Sequence, residues 1–132
     1  MDKVSLVVKG KPLSIQAQAA SRHRWMRTVQ QAARTKFTQP LQDEDFWIRI
    51  TYFYTVAPSF DMDNVSKPIC DALNGIAYVD DHQLADRNTR KRAVRGSYRL
   101  EGAAPDLIEA LAEQIDFVYI EIGSLGAEVD QL

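Results

Sequence analysis

One stretch of the chain, DMDNVSKPICDALNGIAYVDD, gathers five aspartates around a single lysine, Lys67. Asp61 and Asp63 are two positions apart, so in an extended chain their carboxylates leave the same side. A short helix after them would turn the chain back and return Asp80 and Asp81 beside them. Unpaired carboxylates packed this closely repel one another or hold protons. The stretch therefore predicts an acidic cluster that binds a divalent cation at the ends of two extended segments.

Oxygen-only ligands favour Mg²⁺, with Mn²⁺ as substitute and Ca²⁺ as the alternative. An EF-hand loop is excluded, because Ser66 and Ala72 stand where that loop needs glycine and glutamate. Asp71 lies four residues after Lys67, which indicates an ion pair on one helix face. The competing interpretation makes all these acids surface residues and helix caps. A carboxylate-held metal beside a lysine would suit phosphodiester hydrolysis, because both groups stabilise charge on the phosphate.

The elements around this stretch alternate between strand and helix. Their apolar periodicity predicts an α+β fold, with a mixed sheet and helices packed mainly on one face. We expect one domain over residues 1–122 and a flexible tail over 123–132. The predicted elements are strand Val4–Val8, helix Ser21–Phe37, strand Phe46–Val56, helix Asn64–Leu73, an extended segment Tyr78–Asp81, a strand or a hairpin turning at Gly96 over Leu84–Leu100, acidic helix Pro105–Gln114 and strand Phe117–Ile122.

The net charge of −2 hides an asymmetry along the chain. From Glu101 onward there are eight acidic residues and no lysine or arginine, so the first hundred residues hold sixteen basic against ten acidic side chains. A basic surface of this kind suits a polyanion. We expect the acidic segment to avoid a polyanion and to support a dimer or another partner through Leu107, Leu111 and Ile115. The candidate phosphate contacts are Arg87, Arg90, Lys91, Arg92 and Arg95 after the acidic stretch, and Arg24 and Arg27 on the first helix.

Composition excludes several classes of protein. The single cysteine, Cys70, rules out an internal disulfide and is expected to be a small core residue of a helix. The first residues are too charged for a signal peptide, and no apolar run approaches the roughly 20 residues that span a bilayer. We expect a cytoplasmic protein with no membrane contact and no small-molecule substrate.

The pattern Asp61-x-Asp63-Asn64-x-x-Lys67, then Asp71-Ala72-Leu73, then Asp80-Asp81-x-Gln83 resembles the RusA family of Holliday junction resolvases. The resemblance implies an α+β homodimer that cuts branched DNA with magnesium in recombination and repair. By position it implies that Asp61, Asp63 and Asp81 are metal ligands and that Lys67 is essential for catalysis. Asp80 is the alternative third ligand, because the preceding connection can shift by one residue.

Two other functions remain open on the sequence alone. One is a nuclease that acts on flaps or forks, and the other is a non-catalytic relative that binds branched DNA. Retention of both Asp61 and Asp63 together with Lys67 and Asp81 argues against the second. Four-way junction cleavage is the favoured expectation.

Overall fold

A computed structural model describes residues 3–42 and 45–126 of the chain. These residues form an α+β fold with four strands in one mixed sheet, three helices and a short 3₁₀ helix at Asp81–Gln83. The elements are β1 Val4–Lys9, α1 Ala19–Arg34, β2 Phe46–Tyr54, α2 Asp63–Ala72, β3 Leu84–Ala93, α3 Pro105–Glu113 and β4 Phe117–Ser124.

The strands lie in the order β1, β4, β2, β3. β4 is antiparallel to both of its neighbours, whereas β2 and β3 run parallel from the pairing of Phe46 with Leu84 to that of Tyr54 with Ala93. Two parallel neighbours need a crossover, and α2 provides it. The chain therefore leaves β2 at one end of the sheet, runs back along α2, and enters β3 at the other end.

One face of the sheet packs against α1 and α2. Alternate residues of the strands point to this face, including Ile48 and Ile50 of β2 and Ile120 of β4, all 0 or 1% exposed. Trp25 and Val29 of α1 and Val65 and Ile69 of α2 fill the same core. Their helical spacing of three or four residues produces the apolar stripe that the sequence predicted.

The third helix lies on the opposite face. Ala110 and Leu111 of α3 pack with Phe53, Phe117 and Tyr119, and the rings of Phe53 and Phe117 stack with their centroids 4.7 Å apart. Leu107 packs partly against the same cluster. The expectation that the Leu107–Leu111 face binds a dimer partner is therefore wrong, because this face covers the chain's own sheet. Ile115 is 39% exposed.

Most predicted elements are confirmed, and the structure decides between the strand and the hairpin predicted for Leu84–Leu100. Leu84–Ala93 is a single strand at the edge of the sheet, and the hairpin turning at Gly96 does not form. β4 extends through Gly123 and Ser124, two residues into the predicted tail, and residues 127–132 lie outside the described part. Within the described residues, none of the helices has the length and apolar character needed to cross a membrane.

Candidate metal centre and nucleic-acid interface

Asp61 and Asp63 stand at the start of α2. The Asp61 carboxylate accepts a hydrogen bond from the Asp63 backbone N–H at 3.1 Å, and its carbonyl accepts one from Asn64 N–H at 3.1 Å. These contacts satisfy donors that the first turn of a helix leaves unpaired. Both acids are exposed to solvent.

Lys67 lies one helical turn after Asp63 and pairs with Asp71 one turn further. Lys67 Nζ is 3.2 Å from Asp71 Oδ2 and 3.4 Å from its Oδ1, and the lysine side chain is 59% exposed. This confirms the predicted ion pair. The three residues form one polar stripe along the outer face of α2, because positions four apart lie above one another on a helix.

Asp80 and Asp81 lie where the chain enters β3. Asp80 caps the 3₁₀ helix, accepting a hydrogen bond from His82 N–H at 3.0 Å, and its backbone N–H donates to Gln83 Oε1 at 3.1 Å. His82 Nδ1 is 3.1 Å from the Asp80 carboxylate. Asp81 is partly buried, and its backbone carbonyl accepts a hydrogen bond from Arg87 at 3.1 Å.

The two neighbouring carboxyls have opposite pKa shifts. The hydrogen bonds from His82 lower the pKa of Asp80 below its ordinary value. Burial raises the pKa of Asp81, as do its hydrogen bond with Asp80 and the nearby charge of Asp71, while the Arg87 guanidinium opposes the rise. A raised pKa means that this carboxyl favours its neutral form, and a nearby cation would favour the charged form instead.

The predicted convergence of these acids on one metal ion is not seen within the described part of the chain. Among residues 3–42 and 45–126, no group of three or more Asp, Glu, His or Cys side chains is placed to bind one metal ion. The reason is the parallel crossover: Asp61 and Asp63 lie at the first end of α2, and Asp81 lies beyond its last end. Ten helical residues separate these ends by about 15 Å, whereas Mg²⁺–oxygen bonds are about 2.1 Å long. The described residues therefore do not bring the three carboxylates around one ion.

A further acid, Asp116, holds the loop that leads to Asp61. It is 9% exposed, and its carboxylate accepts hydrogen bonds from Tyr52 Oη at 2.8 Å and from the Thr55 backbone N–H at 2.7 Å. The Tyr52 ring stacks on Phe60, the residue before Asp61, with the ring centroids 6.0 Å apart. Sequence reasoning missed Asp116, because an acid just before an apolar strand looks like a turn residue.

The family follows from comparison with known proteins. A family model described as Endodeoxyribonuclease RusA matches residues 13–101, about two thirds of the chain. This chain belongs to the RusA endodeoxyribonuclease family. The matched segment contains α1, β2, α2 and β3, and hence every acid of the motif, and it ends before α3 and β4. A search of curated proteins found no match.

The basic residues near the RusA motif differ in their surroundings. Arg87 contacts Asp81, and Arg90 Nε donates a hydrogen bond to Thr51 Oγ1 at 2.7 Å. Arg92 donates to the Lys91 carbonyl at 2.9 Å. The other candidates are exposed on the surface, Arg24 and Arg27 on α1 and Arg95 after β3. Their role in binding DNA stays a prediction.

Cys70 is confirmed as a core residue of α2. It is 0% exposed, and burial raises the pKa of its thiol to about 11. A thiol in this state is protonated at neutral pH and is a poor nucleophile. Tyr78 donates a hydrogen bond to the Cys70 carbonyl at 2.6 Å and fixes the end of α2.

Proposed function

We propose that this RusA-family protein is a magnesium-dependent endonuclease that resolves four-way DNA junctions by phosphodiester hydrolysis, in recombination and repair. The observation that carries the proposal is the exposed start of α2 inside the matched family segment, where Asp63 precedes Lys67 by one turn and the Asp61 carboxylate accepts a hydrogen bond from Asp63 N–H. Mn²⁺ is the expected substitute, because it takes the same oxygen ligands. Arg24 and Arg27, together with the basic residues of β3, are proposed phosphate contacts.

We infer that the metal site is completed between two copies of the chain. Within one chain α2 holds Asp81 too far from Asp61 and Asp63, so the partner subunit's Asp81 would supply the third carboxylate. Asp80 is the alternative donor, although both of its contacts with His82 already engage Oδ1 of its carboxylate. A symmetric homodimer would then contain two equivalent sites, which matches the two strands that must be cut in a symmetric junction.

The activity is tested with end-labelled four-way, forked and linear DNA, each with and without magnesium. We expect metal-dependent cleavage of the four-way junction, with little of the linear duplex. Preferential cutting of forks would indicate a nuclease that acts on flaps or forks. Tight junction binding with no cleavage in either Mg²⁺ or Mn²⁺ would favour a non-catalytic branched-DNA-binding protein.

The shared site is tested by mixing two inactive variants, Asp63→Asn and Asp81→Asn. In a mixed dimer one site carries both substitutions and the other carries neither, so nicking activity should return. The matched control is Glu109→Gln, an exposed acid of α3, which should leave cleavage unchanged. If the mixture stays as inactive as its components, or Asp81→Asn alone cleaves normally, the shared site is wrong.

A further inference from the structure

Part of the sheet face opposite α1 and α2 is not covered by α3. The register pairs Arg49 of β2 with Glu121 of β4, and Thr51 with Arg90 of β3. By strand alternation these side chains share a face with Phe53, which α3 covers, and with Trp47, which it does not. We call this uncovered surface, formed by Lys3, Trp47, Arg49, Arg90 and Glu121, the open sheet face.

Trp47 is packed against the backbone of the neighbouring strand. A Cβ atom on Gly123 would lie 2.5 Å from three atoms of the indole, so only glycine leaves room for the ring there. Trp47 also lines a groove of about 600 Å³ at the point where the register between β2 and β3 shifts. Arg49, Arg87 and Asn88 line the same groove, and Asp86 is its acidic member. The groove combines a fixed aromatic ring with several hydrogen-bond donors.

The open sheet face also concentrates positive charge. Glu121 is 5% exposed, and Lys3 Nζ lies 2.7 Å from its carboxylate, so the lysine neutralises the charge of Glu121. Burial lowers the pKa of Arg90, and the charges of Arg49 and Arg92 lower it further, so these guanidinium groups repel one another. The Thr51 hydroxyl holds Arg90 in place at 2.7 Å despite that repulsion. A patch of fixed, mutually repelling cations is stabilised by an anionic ligand.

We propose that the open sheet face binds an unpaired segment of a DNA strand, with Trp47 stacking on a base and Arg49 and Arg90 contacting the flanking phosphates. An aromatic ring on a basic sheet surface stacks on bases whose faces are free, whereas paired and stacked bases expose only their edges. Arg87 lines the groove and contacts Asp81, so the groove lies at the end of the sheet where the chain enters β3. The inference rests on the proposed function, since a branch point is where bases of a junction can unstack.

The test measures binding to four-way junction, oligo-dT and linear duplex in EDTA, where cleavage does not interfere. Trp47→Ala should weaken junction and oligo-dT binding about tenfold or more and duplex binding much less. Trp47→Phe should restore most of the affinity. Because the chain has two tryptophans and Trp25 is 6% exposed, oligo-dT should quench the emission of Trp47. That quenching should disappear in Trp47→Phe although binding persists.

The contribution of the arginine charges to binding is tested with a separate pair of variants. Arg49→Gln should weaken binding several-fold and reduce its salt dependence by about one counterion, while Arg34→Gln on α1 removes the same charge away from this face and should change much less. Equal binding by parent and Trp47→Ala, with normal cleavage, would overturn this inference alone. A parent that neither binds nor cuts junctions would overturn the proposed function as well. A dimer that becomes monomeric in Trp47→Ala would show instead that the face joins two copies.

Discussion

Replacing Asp116 by asparagine tests how the loop before Asp61 is held. The carboxylate accepts two hydrogen bonds, one from Thr55 N–H and one from Tyr52 Oη, on separate oxygens. An amide offers one oxygen only, so at least one buried donor loses its partner. Hydrogen bonds to a charged group contribute about 1.5–3 kcal/mol, so we expect a loss of about 2–4 kcal/mol. For a domain of this size that lowers the melting temperature by about 8–15 °C.

The pH dependence of Asp116→Asn checks the cause. Burial alone would raise the pKa of Asp116, but the hydrogen bonds from Thr55 and Tyr52 outweigh it and lower the pKa. The contribution of the carboxylate is therefore complete above its unfolded pKa of about 3.9 and is lost as the pH falls through the lowered folded pKa. Melts should show a full difference from the parent at pH 7 and a narrowing one below pH 4.

The assay is urea unfolding followed by circular dichroism, with junction cleavage measured on the same samples at a temperature where both proteins are folded. Tyr52→Phe removes one of the two bonds and keeps the ring on Phe60, so it should cost less than Asp116→Asn. Glu109→Gln on the exposed surface of α3 is the control and should change stability by less than about 0.5 kcal/mol. If Asp116→Asn is as stable as the parent, Asp116 does not hold the loop before Asp61 in the way proposed. If Asp116→Asn is destabilised but cleaves junctions normally, Asp116 contributes to folding and not to cleavage.

Three other outcomes are expected. Lys67→Ala should reduce cleavage about 100-fold or more while junction affinity changes little, if the lysine acts on the transition state; parallel losses of both would contradict this. Gly123→Ala should destabilise the fold by about 1–3 kcal/mol in thermal melts, because its methyl group collides with Trp47, and Trp47→Ala should relieve the loss. Cys70 should react slowly with a thiol reagent in native buffer and completely in denaturant, whereas fast native labelling would argue against its burial.

Most of the fold could be predicted from the sequence because its helices and strands carry clear periodicity. β2 alternates apolar and polar residues, and α2 begins beside Asp63 and ends before Asn74-Gly75, as capping rules indicate. The parallel pairing of β3 could not be predicted in this way. Leu84–Ala93 is almost entirely polar, so its place depends on backbone pairing with β2 and not on an apolar face.

The candidate site was predicted less well than the elements that build it. The individual surroundings of Lys67 and Cys70 follow from helical spacing, which is local. The distance between Asp63 and Asp81 depends on whether the second strand runs parallel or antiparallel to the first, which is a long-range property. Asp116 lies more than fifty residues from Asp61 in the sequence, and only tertiary structure shows that it holds the loop before Asp61.

The position of β3 at the edge of the sheet has a consequence for handling this protein. One side of a ten-residue strand is left with unpaired backbone N–H and C=O groups, which can pair with another molecule and start aggregation. Arg87, Arg90, Lys91 and Arg92 place charge along that edge, and mutual repulsion between molecules opposes such pairing. Neutralising several of them together would remove this protection and reduce solubility as well as DNA affinity, so single substitutions are the sounder probe of this strand.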